Sequence, residues 1–176
     1  MLLLLVAFLW GASEATFFVI VPDLWISYVA LRRGLRPAMG VACFAAAGAI
    51  VGGAILWYFA VADPDALDSF LLSLPGIDAA MRAHVADAMA SGWISALLAG
   101  GFGGIPYKLF VAEAATQGIA PALFFTVSVF ARLVRFLAVA WLAAFIGARL
   151  PQSWRLPLWA GFWLALYVAY FALVGF

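Results

Sequence analysis

IAPALFFTVSVFARLVRFLAVAWLAAFIG, residues 119–147, carries no charge except Arg132 and Arg135. Its 29 residues exceed the roughly 20 that a helix needs to cross a hydrocarbon core. A charged side chain at the centre of a spanning helix costs ~2.5–3.5 kcal/mol on insertion scales, so both arginines must face protein or a water-filled space. Buried cations call for buried anions. Glu14 and Asp23 lie in the first apolar segment, and Lys108 lies in a later one broken by glycines and a proline. Such a distribution of charge suits a transporter.

Composition agrees with that class. Hydrophobic residues make up 69% of the chain, charged residues 10%, and mean hydropathy is +1.16; soluble domains run near 45–50% apolar and about 25% charged. The 176 residues suffice for one bundle of a few spans, so we read a single all-α integral membrane domain. A net charge of +1 without a basic run offers nothing to a phosphate backbone, and no nucleic-acid partner is expected. Cys43 is the only cysteine and His84 the only histidine, which excludes an intrachain disulfide and gives no metal-ligand spacing. Neither Ser/His/Asp nor Cys/His catalysis is indicated, and we expect no enzyme, no metal and no cofactor.

Met1–Trp10 lacks a basic n-region and a small-residue cleavage site, so it reads as mature structure. Pro22 removes a backbone donor and clashes with the preceding turn, which predicts a broken, re-entrant hairpin over residues 1–31. Residues 37–61 are uncharged and rich in small residues, and they predict a closely packed span. Residues 62–92 hold most of the aspartates together with Phe70, Leu71, Leu72 and Leu74, a pattern that predicts an amphipathic linker helix lying at the interface. Between Trp93 and Phe110, Gly100, Gly101, Gly103, Gly104 and Pro106 argue against a continuous helix and for a second re-entrant hairpin, since irregular backbone at membrane depth survives only where protein or a cavity satisfies it. The hairpin breaks are placed at Pro22 and at Gly103, Gly104 and Pro106. Spans follow at 119–147 and 157–176, for about three spanning helices in all.

If both hairpins return to the side they entered, Arg32, Arg33, Arg36, Arg149 and Arg155 share one side without an acid, and the aspartate-rich loop lies opposite. The positive-inside rule makes the arginine side cytoplasmic. A shift of 84 residues also aligns Phe18 with Phe102, Pro22 with Pro106, Gly34 with Gly118, Pro37 with Pro121 and Trp57 with Trp141. We therefore read two repeats, 1–61 and 93–147, whose hairpins enter from opposite faces, the inverted-repeat plan of secondary transporters.

Ser128, Arg132 and Arg135 recur at i, i+4 and i+7, which sets a hydroxyl and two guanidinium groups on one helical face. Guanidinium forks match phosphate oxygens bidentately, so Arg132, Arg135 and Ser128, with Lys108 at the second break, are candidates to bind a lipid phosphate. The alternative is that the arginines only neutralise Glu14 and Asp23. Those two carboxylates are candidates for proton coupling; for Asp23 the competing reading is a helix cap after Pro22. Lys108 otherwise sits at the interface facing water, and Glu113 reads as solvated. The Gly100–Lys108 string lacks the Lys-Ser/Thr ending of a nucleotide loop.

Three stretches carry a family resemblance: EATFFVIVPDL (14–24), GFGGIPYKLF (101–110) and RLVRF (132–136). Together they resemble the DedA family, also called VTT or SNARE-associated, and in particular its YqaA-like branch. The resemblance implies two re-entrant hairpins facing each other in a bacterial inner membrane. It also implies a lipid translocase, flippase or scramblase, of anionic phospholipid or of a polyprenyl phosphate such as undecaprenyl phosphate, in some relatives proton-linked. Glu14, Asp23, Lys108, Arg132 and Arg135 fall on family-like positions. The sequence departs where Gly103 and Gly104 replace Thr-Pro and where Glu113 and Thr116 replace small residues. The expected partners are membrane lipids with an anionic phosphate head group, with protons as a coupling ion and an oligomer compatible with the reading. The alternatives are a non-transporting membrane homeostasis or assembly protein and a small-ion channel or exchanger.

Overall fold

With no water in a bilayer core to satisfy them, backbone amides and carbonyls must bond within their own segment, and the apolar stretches accordingly fold as helices. The computed structural model describes residues 1–174. Among them it has eight helices and no strand: α1 (Leu2–Glu14), α2 (Asp23–Arg33), α3 (Leu35–Ala62), α4 (Pro64–Leu72), α5 (Ala79–Phe102), α6 (Tyr107–Thr116), α7 (Pro121–Arg149) and α8 (Gln152–Val174). Four of them, α3, α5, α7 and α8, are long and apolar enough to cross a membrane. The chain is built as a multi-pass membrane protein.

Three boundaries differ from the sequence reading. The stretch 62–92 is not one interfacial linker: α4 is a short helix, and Ala79 starts a second helix that continues to Phe102 through a kink at Gly92. Hence a fourth helix of spanning length replaces the expected three. Gly100 and Gly101 do not break α5, because Phe110 packs its ring onto Gly100 where any Cβ would collide with it, and that contact stabilises a helix of poor local propensity. The last span starts at Gln152 and takes Pro157 inside the helix, with Arg155 Nε donating to the Leu150 carbonyl at 3.2 Å. Its predicted end, Gly175 and Phe176, lies outside the described residues.

Helix α3 is the central post. Helix α1 lies against it so closely that a Cβ on Gly48 would strike the Phe8 carbonyl, and one on Gly11 the Ala45 carbonyl, so only glycine permits this approach. Helix α7 packs along α3 in two zones. At one end Val41, Ala42 and Ala45 meet Phe136 and Ala140, and at the other Leu56 and Ala60 share a cluster with Phe110 and Phe124. Helix α2 ends where α3 begins, whereas α6 ends beside Arg82 and Ala60 at the far end of α3. The two short helices therefore point to opposite ends of the post.

The offset of 84 residues reappears in the elements. Helix α2 starts directly after Pro22 and α6 directly after Pro106. Each is followed by a glycine in the left-handed region, Gly34 at φ 85° and Gly118 at φ 69°, where a side chain would strain the backbone.

Helix α8 stands apart from the post and is held by polar handles. Trp159 and Trp163 both donate indole N–H groups to Ser27 Oγ at 3.0 and 3.1 Å, and the Tyr167 hydroxyl accepts from the Val21 amide at 2.8 Å. Tyr170 donates to the Gly76 carbonyl at 2.6 Å.

Candidate functional site

The two breaks meet. Between α1 and α2 the chain turns tightly, with three successive amides, of Thr16, Phe17 and Phe18, donating to the Ser13 carbonyl. The Trp10 indole then ties down the Ile20 carbonyl at 2.8 Å. Between α5 and α6, Gly103 ends one helix, Gly104 takes φ 78° and Pro106 starts the next in extended geometry. Lys108 reaches across from the second break to the first, its Nζ donating to the Phe18 carbonyl at 2.8 Å. It is 1% exposed, so the water-facing position expected of a lysine near a segment end is overturned. The short break leaves Lys108 in the first turn of α6, directed into the protein rather than towards an interface.

Helix α7 brings its arginines to the same place. Arg132 forms an ion pair with Glu14, and both are buried. Its guanidinium lies 4.2 Å above the Tyr107 ring and 5.3 Å from that of Phe136, so aromatic faces supply the contact that water would give elsewhere. Arg135 clasps Asp23 bidentately, Nε to Oδ1 at 3.1 Å and Nη2 to Oδ2 at 3.0 Å. Asp23 therefore does not cap α2: the N-cap is Pro22, without a side-chain bond, and the carboxylate of the first helical residue is spent on Arg135. Thus each arginine is neutralised by a carboxylate at the edge of the first break.

Ser128 lies on the same face of α7, one turn from Arg132, and is fully buried. Its hydroxyl and that of Tyr107 lie close enough to interact with each other but meet no other partner, and Arg132 Nε has none, so polar capacity is left unmet in an apolar interior.

A cavity of about 390 Å³ opens beside this cluster. Phe18 and Val21 of the first break and Gly104 and Pro106 of the second wall it, and Trp163 and Tyr167 of α8 close it on another side. Glu14, Asp23, Lys108 and Arg135 are its charged lining. Arg132 and Ser128 are not part of that lining. The face predicted to present two guanidinium groups and a hydroxyl to a ligand presents only Arg135 directly, because the Tyr107 ring and Glu14 occupy the space in front of Arg132.

Sequence reasoning missed Tyr107 and misjudged Glu113. Glu113 is 7% exposed, is ion-paired with Arg82 and accepts from Gln117 Nε2 at 2.8 Å. Arg82 also reaches Asp68 at 2.9 Å, which links α4, α5 and α6. The signal that could have found Glu113 is the i, i+4 pair Glu113–Gln117, which sets two polar groups on one face of a short helix. Among the described residues no cluster of His, Cys, Asp and Glu has the makings of a metal site. Compared with known proteins, the chain matches no family model, no curated protein and no solved structure.

Proposed function

We propose that the chain is a lipid translocase of the DedA type, moving the anionic phosphate head group of a phospholipid or polyprenyl phosphate across a bacterial inner membrane. One observation carries the reading. The cavity wall sets Lys108 and Arg135 against Glu14 and Asp23, and Arg132 stands behind Glu14 outside the lining, so with all five ionised the group holds one positive charge in excess. In an apolar interior an unbalanced cation is costly, and a phosphate entering the cavity would balance it. A volume of about 390 Å³ is in the range of ligand sites and accommodates a head group whose tails remain in lipid.

The chemistry is movement. Arg135 is the cavity-facing fork, and a phosphate can take over its two N–H groups from Asp23 because both acceptors offer two oxygens at matching spacing. Asp23, once released, can take a proton rather than remain a buried charge, and the same exchange at Arg132 would free Glu14. Proton uptake then accompanies head-group binding. Tyr107, Ser128 and Arg132 Nε supply further donors for such a rearrangement.

We read the two breaks as re-entrant hairpins of an inverted repeat. Support comes from the matching proline starts and glycine ends of α2 and α6 and from their opposite directions along α3. Breaks of opposite sense around one charged cavity are what alternating access needs, because either side can open while the site stays in place. In vesicles reconstituted with labelled anionic lipid, the wild type should exchange lipid between leaflets and Arg135→Ala should not, although it still inserts. Arg135→Lys should keep only part of the rate, since it lacks the fork. Equal exchange by Arg135→Ala ends the assignment. The non-transporting reading has one observation in its favour, that both arginines already have partners within the chain, and it predicts no exchange by the wild type.

A further inference from the structure

A second cavity lies away from the breaks, at the arginine-bearing end, between α2 and α8. Its volume is about 440 Å³. Arg32 and Arg33 enter it from the last turn of α2, and Arg155 with Gln152 from the first turns of α8. Leu3, Leu31 and Leu156 form its apolar wall.

Arg32 and Arg33 have a plain reason to be where they are, since cations at a helix C-terminus complement its dipole. Arg155 has no such reason. It stands near the start of α8, where the dipole disfavours a cation, yet it is half-buried and its Nε is bonded to the Leu150 carbonyl, which fixes the guanidinium at the cleft. None of the eight carboxylates of the chain lines this cleft, and among the described residues neither Arg32 nor Arg33 makes an ion pair. Trp25 and Tyr28, stacked with ring centroids 5.5 Å apart, also line it, and aromatic residues of this kind favour the head-group level of a membrane. Three cations and an apolar wall in one cleft between helices form a surface with two demands, an anion at the rim and hydrocarbon below. A basic pocket between membrane helices is a recurrent form of lipid recognition.

We propose that the α2–α8 cleft binds the phosphate of an anionic membrane lipid as a resident, non-transported ligand, with Arg32, Arg33 and Arg155 on the phosphate and the lipid backbone against Leu3 and Leu156. The site is separate from the central cavity and stands whether or not the chain moves lipid. Because α8 also closes the central cavity, an occupied cleft would hold α8 against α2.

The full chain in vesicles doped with phosphatidylglycerol carrying a photoreactive group near the glycerol tests this. Cross-links mapped by mass spectrometry should fall on the peptides containing Leu3 or Leu156, at a location the central cavity cannot supply. A phosphatidylcholine analogue should give few. Arg32→Gln with Arg33→Gln should reduce the cross-links by about tenfold or more, as loss of charge-assisted bonds implies, and Arg32→Lys with Arg33→Lys should keep part of them. The glutamine variant loses no ion pair, so its thermal unfolding should match the wild type, and Arg155→Gln gives an independent variant. Equal labelling by phosphatidylcholine, or undiminished labelling in both glutamine variants, overturns the proposal. Absence of cross-links on these peptides in a wild-type protein that binds inorganic phosphate, with that binding lost in the glutamine variants, assigns the cleft to free phosphate and overturns it as a lipid site.

Discussion

The protein places arginine against carboxylate in two regions, and they are built to different ends. At the acid-rich end Arg82 joins Asp68 and Glu113; one cation meets two anions, the Asp68 side chain is 44% exposed, and only a cleft of about 10 Å³ lies beside them. In the centre Arg132 and Arg135 meet Glu14 and Asp23 with Lys108 added, both carboxylates are buried, and a cavity of about 390 Å³ opens at the breaks. The first region fastens three helices together and leaves no room for a ligand. The second region sets Lys108 beside two arginine–carboxylate pairs and next to space. An arginine–carboxylate pair is therefore not a functional mark in itself; charge balance and access separate a fastener from a site.

The largest effect should come from cutting a central pair. Arg132→Ala leaves Glu14 buried without its partner, and removal of one member of a buried pair costs about 3–5 kcal/mol. Denaturant titration of the protein in micelles should show that loss. Replacement of both members, Glu14→Gln with Arg132→Met, should recover most of the stability, because an apolar or neutral substitute no longer strands a charge, yet it should leave lipid exchange abolished. If the double variant still transports lipid, the central pair is a fastener like Arg82, and the contrast fails.

Lys108→Met should come next. It loses one charged hydrogen bond to the Phe18 carbonyl, roughly 1.5–3 kcal/mol. It also removes the excess positive charge, so anionic lipid should bind more weakly and exchange between leaflets should slow in vesicle assays. Unchanged affinity would mean that the charge excess does not recruit the head group. Arg82→Ala removes a pair with the half-exposed Asp68, worth about 1 kcal/mol or less, and also strands the buried Glu113, which adds to the loss of stability, but lipid exchange should stay within about twofold of wild type. A larger loss of exchange there would make the acid end part of the mechanism.

How much of this was legible beforehand follows from which signals are local. Pro22 and Pro106 marked both breaks because a missing N–H acts at its own position. That Arg132 and Arg135 needed anions was legible from the cost of charge in lipid, and Glu14 and Asp23 were the acids at hand. Which arginine takes which acid was not, since the partners are 118 and 112 residues apart and only the packing of α1 and α2 beside α7 decides it. The Gly100–Gly101 pair misled for the opposite reason: a local helix breaker was overruled by a tertiary contact from Phe110. The burial of Glu113 and Lys108 likewise depends on neighbours that no spacing displays.

The smallest and sharpest test concerns protons. In the proposed exchange Arg132 can leave Glu14 only if the carboxylate is neutralised, because an unpaired anion in that apolar setting is the costly state. Acid should then favour the released form and alkali the pair, so lipid exchange by the wild type should rise as the pH of the assay falls. Glu14→Gln keeps the shape and can still accept from Arg132, but it carries no charge and binds no proton. That variant should insert, lose part of its stability because Arg132 keeps a buried charge without its counterion, and exchange lipid at a rate that varies less with pH, while Arg82→Ala should keep the wild-type profile. An unaltered profile in a Glu14→Gln protein that still moves lipid would leave Asp23, released from Arg135 at the cavity wall, as the coupling carboxylate, and Asp23→Asn would then have to flatten the curve.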